Sequence, residues 1–184
     1  MHYLVKYSIA LLLTVLLFSS CRKEPQYGDA PEIEFKRIEK FSYAVNGVRR
    51  DSLVLIIGYR DGDGNLGLNV ADINPEDSEA PFNQGSPFYN NFILKFLEGE
   101  EGTDGNITYS PFLGGFQLEQ RFPRISTDDR KEPLEGEIKY TYVATETLIE
   151  PGTILKFQVQ IFDRQTPVPN ASNLAVSEPV VLFE

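Results

Sequence analysis

An antiparallel β-sandwich of seven to eight strands is the architecture this sequence predicts. Apolar and polar residues alternate with a period of two in one segment after another, and Gly, Pro and Asn-Gly turn signals separate those segments. No stretch carries the repeat of an amphipathic helix. Without helical crossovers the strands pair antiparallel and stack as two sheets, with a small closed barrel as the alternative closure.

The strands follow in order. Glu32–Val45 carries Ile33, Phe35, Ile38, Phe41 and Tyr43 and ends at the hairpin signal Asn46-Gly47. Leu53–Tyr59 is almost continuously apolar, as a central strand covered on both faces would be. A long loop runs from Arg60 to Pro87. Tyr89–Leu97 places Phe92, Leu94 and Phe96 on one face, and the acidic turn GEEGTDG leads to a strand near Ile107–Phe112. Gly114-Gly115 and Pro123 confine Phe116–Phe122 to a short or bulged strand. Gly136–Glu146 alternates Ile138, Tyr140 and Tyr142 with Lys139 and Thr141. Ile154–Phe162 is the cleanest alternation, and Val176–Phe183 closes the domain as an edge or bulged strand because of Pro179. The Cys…Trp…Cys signature of antibody domains is missing, so the expectation is immunoglobulin-like in architecture only.

The inventory excludes whole classes of chemistry. A net charge of −10 over 184 residues offers no basic face for nucleic acid, which is not expected as a partner. One cysteine and one histidine, Cys21 and His2, both precede the domain. That removes a disulfide framework, a Cys/His zinc site and a His-based triad from it.

The first residues read as a leader. Lys6 precedes an apolar run from Ile9 to Phe18, and the small Ser19 and Ser20 come directly before Cys21. The run is shorter than the roughly 20 apolar residues that span a bilayer. Leu17-Phe18-Ser19-Ser20-Cys21 resembles a bacterial lipobox, with Phe18 where Leu is commoner. The resemblance implies a signal peptide over residues 1–20, cleavage before Cys21 and diacylglycerol on its thiol. Residues 21–31 then read as the lipidated cysteine and a flexible polar tether, and residues 32–184 as the domain. The expected place is the cell outer membrane, held by the lipid anchor. Glu24 alone makes no acidic run after the cysteine, so the periplasmic and surface faces both stay open.

One motif carries chemistry. In Arg60-Asp61-Gly62-Asp63-Gly64-Asn65-Leu66-Gly67, oxygen-bearing side chains recur at every second position with glycines between, a pattern that suits Ca²⁺. Asp61, Asp63 and Asn65 match the opening of an EF-hand-like loop, and Asp72 falls where its closing carboxylate would stand. Leu66 occupies the position where that loop needs Gly, and a strand leads in, so a cation loop on a β scaffold is the form expected. In an immunoglobulin-like sandwich the loops leaving the second and sixth long strands share one end, which would bring Asp163 to Asp61 and Asp63. The competing reading is an Asp/Gly turn neutralised by Arg60 or Arg164 with no metal. The acidic turn at Glu98–Asp104 reads as a solvated hairpin.

YRDGDGNLGL, SPFYNNFILKF and the ending FQVQIFDRQTPVPNASNLAVSEPVVLF resemble small uncharacterised Bacteroidota lipoproteins, which share a DGDGxxG stretch and a DR…SN stretch. The matching residues are Asp61 to Gly67, then Asp163, Arg164, Ser172 and Asn173. The resemblance implies an envelope location and an immunoglobulin-like β-sandwich, and no activity. Phe82, Phe88, Tyr89, Phe112 and Phe116 are candidate binding aromatics, with core filling as their alternative role.

The expected function is a non-catalytic, lipid-anchored interaction or accessory module of the outer membrane, with an envelope protein or glycan as partner. A carbohydrate- or glycan-binding module ordered by Ca²⁺ is the alternative, and a carboxylate-based hydrolase is a third.

Overall fold

The computed structural model describes residues 25–126 and 130–184. The signal peptide and Cys21 lie outside the described residues. Among the described residues nine strands form: β1 Glu32–Val45, β2 Val48–Asp61, β3 Phe92–Glu101, β4 Ile107–Pro111, β5 Gln117–Gln120, β6 Leu134–Thr145, β7 Ile154–Ile161, β8 Ala175–Val176 and β9 Val180–Val181. The only helical pieces among the described residues are two 3-10 turns, at Pro75–Ser78 and Phe112–Gly114.

β1 and β2 make a hairpin whose turn residues Asn46 and Gly47 take φ of 51° and 79°. Positive φ at both positions matches the right-handed twist of the flanking strands, which is why Asn-Gly signals it. β2 also pairs with β6, giving a three-stranded antiparallel sheet in the order β1-β2-β6. The second sheet has six strands, with β3 and β7 paired at its centre.

β4 and β5 lie in succession along the free edge of β3, while β8 and β9 lie in succession along the far edge of β7. Each pair behaves as one strand broken in the middle, which reduces the nine to the seven positions of an immunoglobulin-like sandwich. The expected strand Val176–Phe183 is therefore two short pieces. The chain steps off β7 between them, and buried serines take up β7 N–H groups, Ser177 in that gap and Ser172 ahead of β8. Ser177 Oγ accepts the Phe157 N–H at 2.9 Å, and Ser172 Oγ accepts the Ile161 N–H at 3.0 Å. Pro179, which has no N–H to give, falls in the break.

The core sits between the sheets. Leu53, Leu55 and Ile57 of β2 face Leu94 and Phe96 of β3 and Leu155, Phe157, Val159 and Ile161 of β7, all essentially without solvent contact. Phe96 is its centre, with Tyr142 and Phe157 edge-on at 4.9 Å and 5.3 Å.

The topology gathers four chain ends in one place. β2 leaves the sandwich at Asp61, opposite Leu134 where β6 begins, and β1 begins at Glu32 opposite Arg60. β7 leaves at the same end, joined to the β2 exit by a bridge between Leu66 and Asp163.

The long connection from β2 to β3 is held down by a buried ion pair. Arg124 grips Asp77 with two hydrogen bonds, Nε to Oδ2 at 2.8 Å and Nη2 to Oδ1 at 2.6 Å, and the Asn69 N–H also donates to Asp77 Oδ2. Removing one partner of such a pair strands the other charge away from water. Asp77→Ala is expected to cost about 3 kcal/mol in urea denaturation, whereas Asp77→Leu with Arg124→Leu costs much less.

Candidate metal centre

Asp61, Asp63 and Asp163 each bring a carboxylate oxygen to within 4.8 Å of the others. β2 delivers the first two as it leaves the sheet, and the turn after β7 delivers the third. Asp61 and Asp163 are wholly buried and Asp63 is half-buried. The approach of Asp163 to the DGDGNLG loop follows from the shared end of β2 and β7. Backbone bonds reinforce it, with Arg164 N–H donating to the Asn65 carbonyl at 3.1 Å.

The loop folds back on its own first carboxylate. Asp61 Oδ2 accepts the Asn65 N–H at 3.0 Å, and Asn65 Nδ2 donates to Asp63 Oδ2 at 2.8 Å. Asp163 is oriented by its own turn: Oδ1 accepts the N–H groups of Gln165 and Asn170 at 3.0 Å and 2.7 Å, and Oδ2 accepts Asn170 Nδ2 at 2.8 Å. Three buried oxygens remain without a donor, namely Asp61 Oδ1, Asp63 Oδ1 and Asn65 Oδ1. Gly67, at φ 92°, lets the loop meet a neighbouring segment, since a Cβ there would stand 2.1 Å from the Pro123 carbonyl oxygen.

The charge balance is unfavourable. Burial and the charges of Asp63 and Asp163 push the Asp61 carboxyl up to about 7, against the pull of the Asn65 and Gly64 N–H groups. Asp63 is raised as well, by burial, Asp163 and Asp29, with Lys131 acting the other way. None of the ion pairs formed among the described residues includes Asp61, Asp63 or Asp163. Arg164, a counter-charge candidate in the metal-free reading, directs Nη1 to the carbonyls of Leu66 and Gly67, both at 2.9 Å. Acceptor oxygens gathered around buried negative charge are the donor set of a hard cation such as Ca²⁺.

Asp72 is not part of this set. It lies exposed in the turn that follows Val70, and the third carboxylate comes from the other sheet instead. The EF-type spacing fails because the chain leaves a strand and bends towards β7 rather than closing on itself. The aromatics divide. Phe82 and Phe112 are buried in the protein and cannot stack on a ligand, and Phe88 packs edge-on against Phe162 at 5.5 Å. Tyr89 and Phe116 are exposed, Tyr89 beneath the Arg121 guanidinium at 4.9 Å.

The DR…SN stretch has an architectural role. Arg164 braces the acidic loop, and Ser172 completes the β7 ladder. The Asn173 amide bonds both backbone groups of Ile33 at 2.8 Å each, tying the two sheets together. Sequence reasoning missed Asp77 with Arg124, and it missed Asp51, whose buried Oδ2 accepts the Phe183 N–H at 2.7 Å. Both lie in stretches whose charges look solvated when only the sequence is read.

A pH dependence follows. Asp61 is protonated more readily in the folded chain than in the unfolded one, so its contribution to stability is complete below about pH 4 and lost as the pH rises through about 7. The loss is on the order of 4 kcal/mol at most. Thermal melts in chelator from pH 4 to 8 are expected to show the decline, and Asp61→Asn to flatten it. Protein-family models, curated proteins and solved structures contain no match to this chain.

Proposed function

We propose that this chain is a non-catalytic, lipid-anchored interaction module of the bacterial outer membrane, whose binding loops are ordered by Ca²⁺. The observation that carries the calcium reading is the set of three buried, unpartnered oxygens on Asp61, Asp63 and Asn65 beside the Asp163 carboxylate. Buried acceptors that lack donors cost stability, and a hard cation satisfies them together. The anchor reading is supported by Lys6, the apolar run to Phe18 and the Ser-Ser-Cys ending at Cys21. A rigid sandwich presenting loops at one end suits recognition of a partner better than enclosure of a reaction.

A glycan is the partner class that exposed Tyr89 favours. It lies at the same end as the acidic loop, since β3 begins just after it and Phe92 pairs with Ile161.

Ca²⁺ that binds only the folded chain must raise its melting temperature with concentration. At 100 times the dissociation constant the gain is about 2.7 kcal/mol, roughly 5–10 °C for a domain of this size. Asp61→Ala and Asp163→Ala are expected to abolish the shift and Asp72→Ala to preserve it. An unshifted wild-type melt at millimolar Ca²⁺ would defeat the calcium reading. For the anchor, labelled fatty acid fed to the native cell is expected to enter the wild-type protein and not Cys21→Ser.

A further inference from the structure

Apolar side chains stand out of the β1-β2-β6 sheet on the side turned away from the core. Leu53, Leu55 and Ile57 point inward, so Arg50, Ser52, Val54 and Gly58 mark the outer face of β2. Cross-strand partners share a face. Phe41 and Val143 flank Ser52, Tyr43 pairs with Arg50, and Val45 pairs with Val48 at the hairpin. Phe41 is 58% exposed, Tyr43 and Val143 43% each, and Val45 39%. Leu148, in the turn that leaves β6 beside Arg49, adds another exposed side chain at this end. The charges bordering the patch on this face are Arg37, Arg50 and Lys139 against Glu39 and Glu137. Three bases thus face two carboxylates, in a chain whose net charge is −10.

The chain enters the domain at the other end of this same face. Glu135 lines one hollow with Gly58, Arg60 and Glu137, and its Oε2 accepts the Tyr27 hydroxyl at 2.5 Å. The Gly62 N–H donates to the Gly28 carbonyl at 2.9 Å, and a Cβ on Gly62 would stand 2.5 Å from the Tyr27 carbonyl oxygen. Residues 21–31 read as a flexible tether in the sequence, yet Tyr27 and Gly28 are fastened to the sandwich. Six residues then lead from Tyr27 back to Cys21, a reach of at most about 21 Å.

We propose that the outer face of the β1-β2-β6 sheet lies against the bilayer, with Phe41, Tyr43 and Val143 in its interfacial layer. This rests on the reading of Cys21 as the lipid anchor. Acyl chains on that thiol enter the leaflet within reach of Tyr27 and hold one end of the face down. β1 carries the face roughly 45 Å further to the hairpin, where the apolar patch holds the other end. Tyr rings settle at the headgroup level, and Phe and Val side chains gain by leaving water. The near-balanced bordering charges let this face approach phosphate-bearing headgroups without the repulsion that an acidic surface meets there.

The test places the lipidated chain, purified from cells, in phosphatidylcholine vesicles with and without brominated acyl chains. The sequence has no tryptophan, so Phe41→Trp puts a single fluorophore in the patch. Tyr109→Trp puts one on the outer face of the second sheet, where Tyr109 pairs with Gly99 and its ring meets Lys156. Brominated lipid is expected to quench most of the Phe41→Trp emission and to leave that of Tyr109→Trp unchanged. Adding Tyr43→Glu and Val143→Glu to Phe41→Trp sets charge into the patch and is expected to restore the emission. Unquenched Phe41→Trp emission from a lipidated, vesicle-bound chain would overturn this inference and leave the anchor standing. A blue shift without quenching would overturn it too, by placing a second copy of the chain on the patch. A wild-type chain without fatty acid would overturn the anchor reading, and this inference with it.

Discussion

Burying the Asp61 carboxyl beside those of Asp63 and Asp163 places like charges against one another with little water to screen them. At about 4 Å and an effective dielectric near 20, each ionised pair repels by roughly 4 kcal/mol. The N–H groups of Gly64 and Asn65 that point at Asp61 recover roughly 1 kcal/mol each, more where the acceptor is charged. The balance stays negative unless a proton or a cation enters, and Asp61 accordingly titrates at about 7. Everything assembled around this point, from the bracing by Arg164 to the close packing at Gly62 and Gly67, stiffens a cluster whose hydrogen bonds do not offset its repulsion.

The sandwich makes that arrangement possible because it fixes where the strands end. β2 and β7 belong to different sheets, so their exits meet only if the sheets are held in register. The Phe96, Phe157 and Tyr142 contact holds them at mid-height, and Asn173 holds them near the acidic end by bonding both backbone groups of Ile33. The polar residues of the final third are therefore mostly architectural. Ser177 replaces a backbone acceptor where the last strand breaks, and Ser172 does so ahead of β8 at the end of β7. Among the described residues Arg50 Nε, Asp51 Oδ1 and Arg121 Nε are also buried without a partner, but only at the β2 exit do three unpartnered oxygens gather in one loop.

The function proposed for this end of the molecule rests on rigidity rather than on reactive groups. The domain has no histidine or cysteine, and its perturbed carboxylates oppose one another instead of flanking a deep cavity. In the proposed reading such a centre orders loops. It also lies beside the chain's entry into the domain, where the Gly62 N–H meets the Gly28 carbonyl.

The sequence by itself determined the all-β class, the antiparallel pairing, the Asn46-Gly47 hairpin and the alternating core of β7, because these depend on local periodicity and turn chemistry. It also made Asp61, Asp63 and Asn65 candidates, and the strand order pointed Asp163 at them. Only the tertiary structure decided that Asp72 stays outside, that Phe82 and Phe112 are buried, and that the closing strand breaks in two. The same holds for Asp77 with Arg124 and for the docking of Gly28 on Gly62. These outcomes depend on which distant segments share space, and a pairing between residues 34 or 47 positions apart leaves no periodic trace in the chain.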